Sequence, residues 1–193
     1  MAFEGSETVK LTTLDYDRGW MGAGRPADAG MTLLTVKLGP PALVAAEPLP
    51  QLLRKIAPLA TPTLKRTVVL GEAMAMGVDA MGMDFTINGK SFDMNRIDFV
   101  AKAGDVEMWE ISNPTDMDHP FHIHGTQFQV VDTTANGITM AAPDLAWKDT
   151  VNVPRAAIVR ISVRQTLPGL RMFHCHILEH EQLGMMGIVD VRV

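Results

Sequence analysis

Every histidine in this sequence, together with its single cysteine, lies in one of two short clusters. The first cluster reads His-Pro-Phe-His-Ile-His-Gly over residues 119–125, and the second reads His-Cys-His-Ile-Leu-Glu-His over residues 174–180. Imidazole and thiolate groups are ligands that copper and zinc prefer in proteins. Because the rest of the 193 residues holds no further histidine, the two clusters predict a metal site.

Alternation of side chains along a β-strand explains the second cluster, because successive side chains point to opposite faces of a sheet. His174 and His176 then share one face, and Cys175 between them points to the other. The cysteine can thereby form a short covalent link between two metal centres. His180 follows His176 by four residues, which is about one helical turn, and Met185 comes five residues later.

The first cluster obeys the same alternation, which puts His122 and His124 on one face. We expect Pro120 to disturb the strand and to let His119 point elsewhere. A blue copper site uses two imidazoles, a thiolate and a weak thioether, and that set is available as His119, Cys175, His180 and Met185. A zinc site is the competing interpretation, but zinc needs neither a thioether nor a second set of histidines.

Composition argues against several classes of protein. A formal net charge of −5 without any basic run gives no support for nucleic-acid binding. A single cysteine cannot form an intrachain disulfide, and between two histidines it is better explained as a metal ligand or a reactive thiol. Residues 1–7 lack the basic and apolar regions of a signal peptide. No apolar stretch is long enough to span a bilayer, so we expect no membrane as a partner.

Short strand-like segments dominate the sequence and predict an all-β fold, a Greek-key β-sandwich. Six prolines between residues 39 and 63 break any sheet there and indicate a linker. We therefore divide the chain into residues 1–38, which are too few to bury a core alone, the Pro-rich linker 39–63, and a domain over residues 64–193. The dipeptides Asn88-Gly89 and Asn136-Gly137 predict hairpin turns. The predicted strands are 8–14, 31–38, 65–70, 85–88, 97–101, 106–112, 127–132, 147–153, 157–163, 170–174 and 186–193.

The two clusters closely resemble the C-terminal copper motifs of multicopper oxidases, a family that includes laccases, bilirubin oxidase and bacterial cuprous oxidases. The resemblance covers residues 64–193 as the last, cupredoxin-like domain, and residues 1–38 look like the tail of the preceding, middle cupredoxin domain. The methionine at position 185 and the segment Ala-Trp-Lys-Asp-Thr at 146–150 are similar to bacterial members. The resemblance implies a periplasmic or extracellular location.

Carried over by position, the resemblance implies three kinds of copper site. The type 1 copper would be bound by His119, Cys175, His180 and Met185. The type 2 copper would be bound by His122, and the type 3 pair by His124, His174 and His176. The resemblance also implies two catalytic residues, Cys175, which would take the electron from the donor, and Glu181, which would supply a proton to the oxygen site.

An oxidase of this kind would oxidise a one-electron donor at the type 1 copper and reduce dioxygen to water at a trinuclear cluster of type 2 and type 3 coppers. In the family that cluster takes eight histidines, half of them from the first domain, whereas this sequence has six in all. We therefore expect the N-terminal part of the oxidase to be a separate fragment or chain. The alternative is a stand-alone type 1 electron-transfer or copper-binding module without oxygen chemistry.

The motifs leave the electron donor open, and a phenol, an aromatic amine and Cu(I) are all compatible with them. Asp116, Met117 and Asp118 directly precede a copper ligand and are the candidate substrate residues. The alternative is an ordinary turn, which the preceding Asn113-Pro114 favours. Five methionines between residues 74 and 94 could bind Cu(I), since soft thioethers suit that ion, or could fill gaps in a core or loop.

Overall fold

The structure is a computed structural model that describes residues 8–20, 25, 29–40, 47–48, 50, 54–76 and 81–193. Contacts within the chain divide it into two compact units, Met1–Lys55 and Ile56–Val193. Residues 56–63 belong by their contacts to the second unit. Among the described residues, no helix is both long and apolar enough to cross a membrane.

The first unit contains an antiparallel pair of strands, β1 (Thr8–Thr12) and β2 (Thr32–Lys37), close to the positions predicted for them. Their register places Leu11 opposite Leu34. Directly opposed residues of an antiparallel pair share one face, so the ribbon has an apolar face and a polar one. Both strands are mostly exposed.

The second unit is a β-sandwich, which confirms the predicted all-β class. The elements are β3 (Leu64–Met76), β4 (Met81–Ile87), β5 (Phe99–Lys102), β6 (Val106–Asn113), β7 (His119–Ile123), β8 (Phe128–Ala135), β9 (Ile138–Ala141), β10 (Thr150–Val153), β11 (Ala157–Arg164), β12 (Gly169–Cys175), α1 (Leu178–Gln182) and β13 (Met186–Arg192). Within the described part of the chain, one sheet has the strand order β4-β3-β6-β11-β8-β9 and the other has the order β10-β7-β12-β13-β5. Two of these pairings are parallel, β3 with β6 and β13 with β5.

The hydrophobic core fills the space between the two sheets. In β6 the buried side chains include Trp109 and Ile111, as the period of two requires for a strand with one covered face. The opposite sheet contributes Phe121 and Phe173, and the Phe173 ring meets the Trp109 ring edge-on with centroids 5.3 Å apart. Burying each of these large side chains contributes about 1.5–3 kcal/mol, so the core holds β6, β7 and β12 in fixed positions.

Several strands exceed the sequence prediction, and β7 was not among the predicted strands. β3 continues past residue 70 because β4 pairs with it as far as residue 76. β9 was not predicted, because its four residues are all exposed and carry no sign of a covered face. It forms because Asn136 and Gly137 both adopt positive φ, at 50° and 76°, which is the backbone of a tight hairpin turn.

Candidate functional site

The two histidine clusters lie side by side on neighbouring strands of the five-stranded sheet. The register of β7 and β12 places His174 opposite His122, and Cys175 opposite Phe121. Opposed residues share a face, so the two histidines project from one face of the sheet. The cysteine projects from the other, into the sandwich.

Of the described residues, His119, Cys175 and His180 meet inside the sandwich, where all three are buried. Cys175 Sγ lies 3.6 Å from His119 Nδ1 and 3.7 Å from His180 Nδ1, and the two nitrogens are 3.1 Å apart. Atoms that bind one ion at about 2.0–2.3 Å lie roughly 3–4 Å from one another. The three atoms therefore fit a single small metal ion.

His119, Cys175 and His180 form the inner group, and Met185 is fully buried beside them. Its N–H donates to the His180 carbonyl oxygen at 2.9 Å, and its own carbonyl oxygen accepts from the Cys175 N–H at 3.1 Å. The preceding Gly184 has φ of 111°, and a Cβ there would come within 2.8 Å of the Phe85 carbonyl oxygen. The backbone before Met185 is thus pressed against β4 and tied to both neighbouring ligand-type residues.

The imidazole rings of the inner group are held in one orientation. His119 Nε2 lies 2.8 Å from Thr115 Oγ1 and 3.3 Å from Glu72 Oε1. A proton on Nε2 that is donated to Thr115 Oγ1 leaves the Nδ1 lone pair directed at Cys175, and the Glu72 carboxylate lies close to the same nitrogen. The His180 ring stacks on Phe85 with centroids 4.0 Å apart, which fixes the second ring.

Thr115 and Glu72 were not among the residues selected from the sequence. Thr115 follows the turn-forming Asn113-Pro114 pair, and a hydroxyl four residues before a candidate ligand was the available signal. The sequence held no comparable signal for Glu72, because it lies on β3, far along the chain from His119. Burial raises the pKa of Glu72, while a hydrogen bond with Thr115 lowers it and the charge of Asp116 raises it.

Pro120 does not interrupt its strand, which differs from the sequence expectation. β7 is continuous, and Pro120 pairs with Asn152 of β10. His119 points into the sandwich because it lies three positions before His122, and an odd separation reverses the face of a strand. Ordinary alternation therefore separates the two histidines.

Burial sets the protonation of the inner group. It lowers the pKa of His119 to about 4, so the imidazole is neutral at neutral pH and its lone pair is available. Burial also raises the pKa of Cys175 to about 12, although a hydrogen bond from the Ile177 N–H opposes the rise. A bound cation reverses this balance, since a coordinating thiol is deprotonated outright.

A second set of imidazoles lies on the outer face of the same sheet. Metal-binding atoms of His122, His124 and His174 all lie within 4.8 Å of one another, and His124 Nε2 is 2.9 Å from His174 Nε2. The centroid of the His176 ring lies 5.5 Å from that of the His122 ring and 5.6 Å from that of the His174 ring. These four residues form the outer histidine group, and His176 is exposed.

Two imidazoles of the outer group are held in place by polar contacts of their Nδ1 atoms. His122 Nδ1 lies 2.8 Å from the Asp149 carbonyl oxygen and 3.0 Å from Thr150 Oγ1, while His174 Nδ1 lies 2.8 Å from the Cys175 carbonyl oxygen. A proton on Nδ1 that bonds these oxygens leaves Nε2 as the metal-binding atom. Burial lowers the pKa of His124, as do the neighbouring imidazoles, which favours the neutral, ligating form.

The predicted proton donor Glu181 lies on α1, at the edge of the outer histidine group. Its Oε2 is 3.4 Å from His174 Nδ1, and its side chain is 29% exposed. The carboxylate therefore contacts both solvent and one imidazole of the group.

The three candidate substrate residues differ in exposure. Asp116 is exposed, whereas Met117 and Asp118 are buried. The two oxygens of Asp118 accept hydrogen bonds from Asn152 Nδ2 at 2.8 Å and from the Arg155 N–H at 2.9 Å. Asp116 is therefore the member of this segment that a donor in solution can reach.

The methionine-rich stretch is described only in part. Met83 packs partly buried against the core, and Met94 is 74% exposed. The side chains of Met74, Met76 and Met81 lie outside the described part of the chain. The hypothesis of Cu(I) binding by this stretch stays a prediction.

Comparison with protein families gives a match to the multicopper oxidase model over residues 62–193. The chain belongs to the multicopper oxidase family. The matched range contains both histidine groups, Cys175 and Met185. Membership of the multicopper oxidase family implies that the chain binds copper.

Relatives of known function agree with this family. Over 118 residues, which are 59% of this chain, the sequence is 45% identical to a multicopper oxidase of Staphylococcus aureus. It is also 36% identical over 118 residues to the bilirubin oxidase of Albifimbria verrucaria. The chain spans only 26% and 21% of the lengths of these two oxidases.

The fold is shared with a solved structure of the family. A structure described as a multicopper oxidase from Campylobacter jejuni, a metallo-oxidase, superposes with a TM-score of 0.82 and 36% identity, covering 96% of this chain and 41% of that one. The predicted cupredoxin-like fold is thereby confirmed.

Proposed function

We propose that this chain is the C-terminal part of an oxidase that takes single electrons from a donor at a type 1 copper and reduces dioxygen to water at a trinuclear copper cluster. One observation carries the proposal. The inner group of His119, Cys175 and His180 and the outer histidine group both draw residues from strands β7 and β12 and lie on opposite faces of that sheet, with His180 supplied by α1.

Cys175 connects the two groups through the peptide bonds to His174 and His176. Copper supplies reversible one-electron chemistry and a site for dioxygen when it is bound. The thiolate is the soft ligand that suits a copper changing between Cu(II) and Cu(I), and His119 and His180 would hold the same ion. Met185 would supply a weak thioether ligand that tunes the reduction potential of that copper.

The outer histidine group offers four imidazoles, with His122 proposed for the type 2 copper and His124, His174 and His176 for the type 3 pair. All six histidines of the sequence are used by the two groups. The remaining ligands of a trinuclear cluster must therefore come from other polypeptide, which we propose to be the N-terminal part of the same oxidase. The partly exposed outer face leaves room for that part to approach.

Reduction of one dioxygen to two water molecules consumes four electrons and four protons. Glu181 is the proposed proton carrier, since its carboxylate contacts solvent and lies 3.4 Å from His174 Nδ1. A carboxyl group in that position can take a proton from water and pass it toward the oxygen site. Replacement by glutamine keeps the shape and removes the proton transfer.

The donor side is proposed to be the surface at Asp116. Asp116 is exposed, and the adjacent Thr115 contacts the Nε2 atom of the copper ligand His119 at 2.8 Å. A donor that binds there has a short path to the inner group. Phenols and aromatic amines would use the carboxylate as a proton or hydrogen-bond acceptor, and Cu(I) would use it as a ligand. A periplasmic or extracellular location, as implied by the family resemblance, fits these donors.

Separate variants of the two aspartates distinguish donor binding from structural support. Asp116→Asn in a reconstituted oxidase should raise the KM for the donor and leave the blue spectrum unchanged. Asp118→Asn weakens two partly buried hydrogen bonds and should lower the free energy of unfolding by about 1–3 kcal/mol. Unchanged kinetics for phenols, amines and Cu(I) in the Asp116 variant would locate the donor site elsewhere.

The oxidase function is tested by oxygen uptake with and without the N-terminal part. The copper-loaded chain alone should bind type 1 copper and consume dioxygen only at background rates. Addition of a polypeptide carrying the family's first-domain histidine pairs should restore uptake, and His124→Ala in this chain should abolish that restored activity. Rapid oxygen uptake by the pure chain alone would contradict the proposal.

A stand-alone electron-transfer module is the second candidate function. It is favoured by the fact that the inner group is buried and complete with ligands of this chain alone. Under this function the outer histidine group would bind no copper that takes part in turnover. The His124→Ala variant would then exchange electrons with a soluble partner at the native rate, and no added polypeptide would elicit oxygen uptake.

A further inference from the structure

A strap of backbone, residues 56–62, crosses the outer face of the six-stranded sheet and forms one wall of an open cavity of about 400 Å³. The floor of the cavity is a row of three residues across adjacent strands. Ser162 of β11 lies opposite Met108 of β6 on one side and opposite Gln129 of β8 on the other. Cross-strand neighbours of this kind share one face of a sheet.

The strap is held on the sheet at both ends. Gln129 Oε1 accepts a hydrogen bond from the Leu59 N–H at 2.8 Å, and Gln129 Nε2 donates to the Ala57 carbonyl oxygen at 2.8 Å. Just beyond the strap, the Thr63 N–H donates to the Val106 carbonyl oxygen at 2.9 Å. The strap is therefore held in place by hydrogen bonds within the protein, and the cavity is formed before any ligand enters.

The lining of the cavity is mainly apolar, with one polar atom at its floor that needs a partner. Ser162 is 7% exposed, and its Oγ has no hydrogen-bond partner among the described residues. A buried hydroxyl left unpaired lowers stability, so a molecule that bonds it is favoured. Apolar side chains around it come from Pro58, Leu59, Pro62, Met108, Val131 and Leu145.

Water alone satisfies this floor poorly. A buried water needs two to four polar partners, and the amide of Gln129 is already engaged by the strap. The carboxylate of Asp144 lies on the lining and is exposed, so it disfavours an anionic ligand by charge repulsion. The ligand that fits is apolar, uncharged and equipped with one hydroxyl group.

We propose that this cavity is a binding site for a small neutral molecule with an apolar body and one hydroxyl group, such as an aromatic alcohol, which hydrogen-bonds to Ser162 Oγ. The site is separate from the two metal-binding groups, because none of their residues lines the cavity. It requires no chemistry on the ligand.

Benzyl alcohol and toluene are a matched pair of probes, since they differ in the hydroxyl group. Titration of the full chain, followed by amide chemical shifts in NMR, should show saturable binding of benzyl alcohol with the largest shifts at Leu59, Gln129 and Ser162. Ser162→Ala should weaken benzyl alcohol binding by about two- to tenfold, the value of one net hydrogen bond. Toluene binding should stay within twofold of the native value.

Two further variants complete the experiment. Ser112→Ala removes a hydroxyl from β6 outside the cavity and should change the binding of neither probe. Leu145→Trp enlarges an exposed lining side chain and should weaken both probes. Circular dichroism of each variant verifies its fold. The proposal is overturned if neither probe binds the native chain saturably, or if Ser162→Ala leaves the benzyl alcohol affinity unchanged.

Discussion

The inner group and the outer histidine group lie on opposite faces of β7 and β12, with His180 of the inner group supplied by α1, yet they differ in how far they are closed to solvent. In the inner group three ligand atoms converge at 3.1–3.7 Å in a buried space. In the outer group four imidazoles share a partly exposed face, and His176 is open to solvent. Successive side chains of a strand point to opposite faces. Cys175 therefore lies in the closed site while its neighbours His174 and His176 lie in the open one, a single peptide bond away.

The two groups also differ in what surrounds the ligands. Thr115, Glu72 and Phe85 hold the inner imidazoles, all with side chains from this chain. In the outer group the supporting atoms are the backbone carbonyl oxygens of Asp149 and Cys175 and the Thr150 hydroxyl. Because the inner group is also buried, it is expected to assemble by itself, whereas the partly exposed outer group is expected to need further polypeptide.

The largest expected effect comes from removing the thiolate. Cys175→Ser should abolish the blue absorption completely, because the band arises from charge transfer between thiolate and Cu(II). His122→Ala, on the other face of the same sheet, should keep the band and is the matched control. Visible absorption of the copper-loaded variants measures both. A blue band that survives in Cys175→Ser would contradict the assignment of the inner group.

A smaller effect is expected from the hydroxyl that orients His119. Thr115→Val keeps the side-chain shape and removes the acceptor 2.8 Å from His119 Nε2. Loss of such a supporting hydrogen bond typically weakens metal affinity by about 10–100-fold, and competition with a copper chelator measures it. Thr139→Val on the exposed strand β9 should leave the affinity unchanged. Equal affinities in the two variants would show that Thr115 does not position the ligand.

The thioether of Met185 is expected to give an effect of tens of millivolts. Met185→Leu should retain copper and raise the reduction potential, because loss of a weak thioether ligand destabilises Cu(II) more than Cu(I). A tenfold change in that preference corresponds to about 59 mV for one electron. Redox titration of the blue band measures the shift, with the exposed Met94→Leu as control. A lower potential in Met185→Leu would argue against its role as ligand.

The smallest effect is expected on the six-stranded sheet, away from both groups. Hydrogen bonds from Lys65 and Arg160 lower the pKa of Glu110. The Glu110 carboxyl group therefore binds its proton more readily in the unfolded chain than in the folded one. The stabilisation that its charge provides is full above the ordinary glutamate pKa and is lost as the pH falls through the lowered pKa of the folded state. Glu110→Gln should reduce the free energy of unfolding at pH 7 by about 1 kcal/mol or less.

Urea denaturation at pH 7 and at pH 3 separates this effect from the copper sites. The difference between native and Glu110→Gln proteins should shrink at pH 3, while the blue spectrum at pH 7 is the same in both. A constant difference at the two pH values would mean that the charge of Glu110 does not stabilise the fold.

Local patterns in the sequence predicted most of the strands and the opposite directions of Cys175 and its two neighbouring histidines, because alternation with a period of two depends on neighbours alone. The same patterns could not predict the parallel pairings of β3 with β6 and of β13 with β5, which depend on how distant segments meet. The expectation that Pro120 would disturb its strand and thereby redirect His119 was wrong. The proline fits into a continuous strand, and His119 points inward by its odd spacing from His122.

Partners from distant segments were equally invisible in the sequence. Glu72 reaches His119 only because β3 packs in the sandwich near the segment that carries Thr115. The burial of Met117 and Asp118 could not be predicted either, because the hydrogen bonds to Asp118 come from Asn152 and Arg155. Exposure within a short polar segment is decided by what packs against it.

The contrast between a closed and an open site is tested most directly by copper titration followed by electron paramagnetic resonance. The purified chain should bind one equivalent of blue copper with the narrow parallel hyperfine splitting of a type 1 site, and His122→Ala with His124→Ala should leave that signal intact. Any further copper should show the wider splitting of an ordinary site. A folded chain without a blue signal, or a blue signal that disappears with the outer histidines, would contradict the account.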